Sequence, residues 1–240
     1  MNVAEQIREK IKSIPESEPF GYADLGIEQT DFVTAAKAIE RMQKKGTIKK
    51  VSKGVFYKPE MSVFGAMPPK YDLILKNYLY ENGKRVGYIT GGELYNSLNL
   101  TTQNYFRSKI ATKRNRKKID ISWLKTTSVK AYVDVTEENY QLLGILDAIK
   151  DIKLISDTSA KEAIKILIPK IKLFSKEDIL SLIQYVLKYP PRARALLGAI
   201  IENLFGNELN LEQLKNSLNP TTTYKINIKV DDLPTIKNWN

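Results

Sequence analysis

Apolar residues recur at helical spacing near the start of the chain and through its last hundred positions, with short alternating stretches between. Val3, Ile7 and Ile11 stand four apart and predict an amphipathic helix over Met1 to Lys12, stopped by Ile14-Pro15. After a loop holding Pro19 and Gly21, Tyr22 to Leu25 is expected as one helical turn. Thr30 is placed to cap a helix from Asp31 to about Lys45, with the acid at its start and Lys44 and Lys45 at its end. Gly46 stops it. Phe32, Ala35, Ala36, Ile39 and Met42 form its inward stripe; Thr34, Lys37, Ala38, Arg41 and Lys45 point the other way. Thr47 to Val51 and Val55 to Tyr57, joined by Ser52-Lys53-Gly54, read as a β-hairpin.

Farther on, Val86 to Gly92 reads as a glycine-bounded strand leading into a helix over Gly92 to Leu98. Lys109 to Thr112 and Lys118 to Trp123 read as two strands around a basic turn. From Thr136 the period becomes helical. One helix carries Leu142, Leu143, Ile145, Leu146 and Ile149, and a second runs from Ala160 to Phe174, bent or interrupted by Pro169. Ser175 caps a third, with Glu177 and Asp178 in its first turn; Pro190-Pro191 ends it and starts a fourth. Leu211 to Leu218 adds a short helix, and the alternation of Tyr224, Ile226, Ile228 and Val230 predicts a last strand over 223–231. The expected class is α+β and helix-rich. Residues 1–60 form one domain and 61–240 a second, with mixed strands over 86–135 and helices over 136–218.

Charge changes this picture more than composition does. The chain has 38 Lys+Arg against 27 Asp+Glu, a formal charge of +11. Up to Lys130 there are 24 basic and 13 acidic residues; beyond it, 14 of each, so the whole excess lies in the first part. Lys37 to Lys58 holds eight basic residues against Glu40 alone, and Arg107 to Lys118 holds seven and no acid. A single run of this kind is what a solvated face looks like. Two runs in one half suit a polyanion.

Absences narrow the chemistry. There is no Cys and no His, which excludes disulfides, thiolate metal sites, serine-hydrolase triads and most zinc chemistry. Neither a metal nor another cofactor is expected. Met1 to Lys12 lacks the apolar stretch of a signal peptide, and the longest apolar run, Ala195 to Ile201, is far short of the roughly 20 residues that span a bilayer. A cytoplasmic protein is expected.

Helix, short helix, capped helix and basic hairpin is the order of a winged helix-turn-helix. Its third helix fits a major groove, where Thr34 allows close approach and Lys37 and Arg41 reach base edges or phosphates. Lys44 and Lys45 extend that face, and Lys49, Lys50 and Lys53 on the hairpin hold the flanking backbone by charge. The plain alternative is that the same elements mediate protein contacts.

Several segments carry a resemblance as well. Lys45 to Pro59, with its Lys53-Gly54-Val55-Phe56-Tyr57 stretch, is followed by Phe64-Gly65, Gly87-Tyr88-Ile89-Thr90-Gly91, Leu98 to Gln103 and Ile110-Ala111-Thr112. Leu146 to Lys150 and Tyr189 to Gly198 come later. In this order they resemble the AbiEi-like antitoxins of type IV toxin–antitoxin systems, which act in abortive infection and phage defence. The resemblance implies a transcriptional autorepressor whose winged helix binds operator repeats upstream of its own two-gene operon. It also implies that the C-terminal part counteracts a nucleotidyltransferase toxin, with or without direct contact. It brings no catalytic residues.

Other features compete. Val86 to Gly92 has neither a Gly-x-Gly-x-x-Gly fingerprint nor a Gly-Lys-Ser/Thr ending, so its glycines are expected to shape turns. Lys113, Arg114, Arg116, Lys117 and Lys118 form a second nucleic-acid patch or a blunted sheet edge. With Tyr105, Phe106 and Trp123 nearby, they support the alternative of an RNA-binding adaptor. Arg192 and Arg194 sit against the dipole of a helix start, and an internal ion pair with Asp147 is favoured over an anion site. No Gly-Ser dipeptide and no Asp-x-Asp occurs, as a nucleotidyltransferase would need to hold Mg²⁺, and no enzymatic activity is expected.

Overall fold

Asn2 caps the first helix reciprocally with Glu5, each side chain accepting from the other's backbone N–H. From there the computed structural model describes residues 2–103, 107–114, 119–121 and 124–239. They gather into two units: Met1–Gly83 with Lys117–Lys125, and Lys84–Arg116 with Thr126–Asn240. The architecture is mixed α and β, with mostly short strands.

The first unit contains α1 (Val3–Ser13), β1 (Pro19–Gly21), α2 (Phe32–Lys44), β2 (Lys49–Ser52) and β3 (Val55–Tyr57). Beyond residue 60 it continues through β4 (Met61–Ser62), β5 (Gly65–Ala66), α3 (Tyr71–Leu79) and β6 (Tyr80–Glu81). β1 pairs antiparallel with β3 and β3 with β2, so the sheet runs β1-β3-β2. Ile7 and Ile11 of α1, Phe20, Leu25, the inner face of α2, Ile48 and Phe56 make one core. Val51, Tyr57 and Ile74 make a smaller one beneath α3.

Several expectations for this unit need correction. Tyr22 to Leu25 is a hydrogen-bonded turn, with Leu25 N–H bonded to the Tyr22 carbonyl, and not a helix. Thr30 does not cap α2: it lies inside a 3-10 turn, Gln29–Asp31, and Asp31 holds the cap position without a side-chain bond. The buried stripe of α2 is Ala35, Ala38, Ile39 and Met42. Ala38 therefore faces inward, and Phe32, at the first position of the helix, is 48% exposed and leans on Tyr22.

The second unit opens with β7 (Lys84–Arg85), β8 (Gly87–Thr90), α4 (Gly92–Ser97) and β9 (Arg107–Thr112). β10 (Ile119–Ile121) counts with the first unit, and β11 (Leu124–Lys130) leads back. β8 and β9 are antiparallel, Gly87 opposite Thr112 and Thr90 opposite Lys109, with β11 on the far side of β9. Then come α5 (Tyr140–Lys150), α6 (Ala160–Lys172), α7 (Lys176–Val186), α8 (Pro191–Phe205) and α9 (Glu212–Asn216). Capping boxes at Ser159/Glu162 and Ser175/Asp178 set the starts of α6 and α7. Leu143, Leu146, Leu167, Leu182, Leu196 and Leu197 lie in the large core between these helices.

Three further readings are corrected here. Pro169 does not interrupt α6, which runs on to Lys172 with Ala163, Ile164 and Leu167 buried before the proline and Ile171 after it. Residues 223–231 form no strand: Asn227 adopts a left-handed φ of 63°, and Ile226 alone of the alternating set is fully buried. Arg192 and Arg194 do not pair with Asp147. Arg194 Nη1 donates to the Ser217 carbonyl at the end of α9 (2.7 Å), and Arg192 Nη2 reaches the Lys150 carbonyl at the end of α5 (3.5 Å). Both cations thus meet the negative end of a neighbouring helix, which offsets their place at the start of their own.

Asp147 is buried and accepts two hydroxyl bonds, from Tyr88 (2.8 Å) and Thr90 (2.6 Å). Burial pushes its carboxyl above the usual range and likewise keeps the Tyr88 hydroxyl protonated. Because the folded state binds the Asp147 proton more tightly, the group's contribution is greatest in acid and falls as pH rises through its raised value. Asp147→Ala leaves two buried hydroxyls without an acceptor and is expected to cost about 2–4 kcal/mol in urea unfolding followed by Trp239 fluorescence. Asp147→Asn keeps an acceptor, so it should cost far less and flatten the pH dependence.

Candidate nucleic-acid interface

The outward stripe of α2 follows from its inward one. With Ala35, Ala38, Ile39 and Met42 buried, helical geometry leaves Val33, Thr34, Lys37, Glu40, Arg41 and Lys44 on the solvent side, and all are exposed. Lys45, at the C-cap, continues the stripe, and Gly46 turns the chain at a φ of 74°. β2 then presents Lys49 and Lys50 to solvent. Lys53 is exposed at the turn, where Gly54 has a φ of 77° that a side chain would strain.

Thr34, Lys37, Arg41, Lys44, Lys45, Lys49, Lys50 and Lys53 are therefore all on the surface of the first unit. Lys44 is partly neutralised: its Nζ lies 2.7 Å from Glu40, and this hydrogen-bonded lysine holds the Glu40 carboxyl below the usual range. Lys37, Arg41, Lys45, Lys49, Lys50 and Lys53 have no carboxylate at ion-pairing distance among the described residues. Their charge is left to the solvent, or to a partner.

Between α2 and the β2–β3 hairpin runs a groove of about 560 Å³. Ala36, Ile39 and Phe56 line it, with Tyr22 and Phe32, and Glu40, Gln43, Lys50 and Lys53 complete its walls. Tyr22 meets Phe56 edge-on at 5.7 Å and Phe32 at 4.8 Å, so a line of aromatic rings leads from the core to the surface. The groove sets Lys50 and Lys53 of the hairpin against Phe32, Ala36, Ile39, Glu40 and Gln43 of α2. The cationic runs announce those walls in the sequence. Tyr22, Gln43 and the exposure of Phe32 and Val33 were missed, because they depend on how helix and hairpin meet.

The second basic patch is only partly described. Lys113 is held by Asp134 at 3.0 Å, and Arg114 is exposed with its backbone N–H bonded to the Thr112 hydroxyl. Arg116, Lys117 and Lys118, with Tyr105, Phe106 and Trp123, lie outside the described residues.

Among the described residues, no group of three or more Asp or Glu stands close enough to hold a metal ion, and no helix is long and apolar enough to cross a membrane. No protein-family model matches the chain, and no curated protein matches it.

Proposed function

We propose that the chain is a duplex-DNA-binding regulator, acting as autorepressor and antitoxin of the AbiEi-like kind, and that the first unit works as a winged helix. α2 enters the major groove while the β2–β3 hairpin lies along the flanking backbone. The observation that carries this reading is the exposure of six cations on α2, its C-cap and the adjoining hairpin, none with a carboxylate partner among the described residues, with Lys50 and Lys53 lining a groove against α2. The order of elements supports it, with β1 beside β3 and the expected middle helix reduced to a turn and a 3-10 segment. The second unit, with its own core, is the part assigned to counteracting a nucleotidyltransferase toxin.

Mobility shifts test the reading. The probes are the DNA immediately upstream of the coding sequence and a folded RNA of equal length, each titrated with salt. Duplex DNA should bind more tightly. Six phosphate contacts at about 0.9 each give a log–log salt slope of roughly −5. Preference for the RNA would instead support an adaptor role, and binding without salt dependence would contradict both.

A further inference from the structure

The exposed face of α2 is divided along its length. Arg41, Lys44 and Lys45 occupy its C-terminal half, and Lys37 its middle. The first turn presents Phe32, Val33 and Thr34, with Phe32 48% and Val33 65% exposed. Phe32 is braced from behind by Tyr22, ring centroids 4.8 Å apart, so it offers one fixed open face. An open valine beside a half-open phenylalanine, within a strongly cationic surface, suits an apolar group that a polyanion carries.

On duplex DNA one base edge answers to that description. Guanine is read by the paired donors of Arg or Lys and adenine by the amide of Asn or Gln, whereas thymine alone presents a methyl group in the major groove. A recognition helix reaches base edges with its N-terminal residues. In α2 those residues carry no amide and no guanidinium; they carry an aromatic face and three methyl groups. The flanking cations match the phosphates on either side.

We infer that the first turn of α2 selects thymine, with Phe32, Val33 and the Thr34 methyl packing against C5-methyl groups in the major groove, while the lysines and Arg41 hold the phosphates. This inference rests on the duplex-binding reading given above. It makes Phe32 and Val33 the specificity residues and the cations the affinity residues.

The test removes methyl groups from the DNA and leaves the protein intact. The full chain enriches a sequence from random short duplexes, and the enriched duplex is remade with each thymine in turn replaced by deoxyuracil. Every hydrogen-bonding group and phosphate is retained. Binding should weaken by about fourfold for each contacted methyl lost, the worth of one buried methylene. Val33→Ala and Phe32→Ala should narrow the difference between thymine and uracil duplexes while leaving the salt slope unchanged. Val33 is exposed enough that its replacement leaves the core untouched. Equal affinity for thymine and uracil duplexes at every position, with enrichment achieved, would overturn thymine selection and leave DNA binding standing. Failure to enrich any duplex would overturn the duplex-binding reading itself, and thymine selection with it.

Discussion

Gly198→Ala is expected to destabilise the second unit by about 2–3 kcal/mol, although alanine is the better helix former. Gly198 lies inside α8, and a Cβ built there overlaps the six-membered ring of Trp239. The indole is buried, its N–H donates to Glu202, and Lys215 Nζ stands 5.1 Å from the ring centroid. The neighbouring 3-10 turn, Pro234–Asn238, is pinned to α8 as well, through the Thr235 hydroxyl on the Ala199 carbonyl (2.6 Å). Room for the methyl group exists only if the ring leaves. Its departure takes a large buried aromatic side chain out of the core that it shares with Leu233 and Ile236. In a Trp239→Ala background the clash is gone, and the same substitution should stabilise by up to about 1 kcal/mol, the helix penalty of glycine. Urea unfolding followed by circular dichroism across this double-mutant cycle reads the reversal of sign.

Much of the fold was legible wherever a local signal coincided with a structural one. Ser175 with Asp178 marks the start of α7 and Pro191 the start of α8 by chemistry confined to a few neighbouring residues, whereas α7 ends at Val186, ahead of Pro190. Val3, Ile7 and Ile11 likewise gave α1, with Ile7 and Ile11 buried. What failed depended on distant partners. β1 is three residues beginning with proline and exists because β3 offers it an edge. The alternation from Tyr224 to Val230 resembles a strand, but among the described residues no strand pairs with it, and Asn227 turns the backbone aside. Asp147 and Arg194 were linked by charge alone. Asp147 instead meets hydroxyls on β8 and, at 4.0 Å, Lys150 of its own helix, and Arg194 a carbonyl at the end of α9. At the candidate site the cations could be read directly, since a run of lysines in a hairpin has few places to hide. Phe32 could not: its spacing from Ala35 and Ile39 put it on the inward stripe, whereas its place at the helix start lets it lean on Tyr22 and open toward solvent.

Loss of five cations should have the largest effect on function. Lys37, Arg41, Lys49, Lys50 and Lys53 are exposed and make no ion pair among the described residues, so replacing all five by alanine leaves the core of the first unit intact. Stability should change little, by roughly 0.5 kcal/mol or less per site. Each phosphate contact releases about 0.9 of a counterion, so near 0.1 M salt the five together contribute several powers of ten to affinity. A fall of about a thousandfold or more is expected. Thr34 and Lys45 remain in the variant and retain part of the docking face.

The most direct measurement is the salt dependence of duplex binding, compared between the chain and this five-alanine variant by fluorescence anisotropy on the upstream DNA. If α2 and the hairpin are the surface that meets the duplex, the variant's log–log slope is shallower by about 4 to 5 and its affinity falls at every salt concentration. A folded variant that binds the same duplex with the slope and affinity of the unmodified chain would contradict the account.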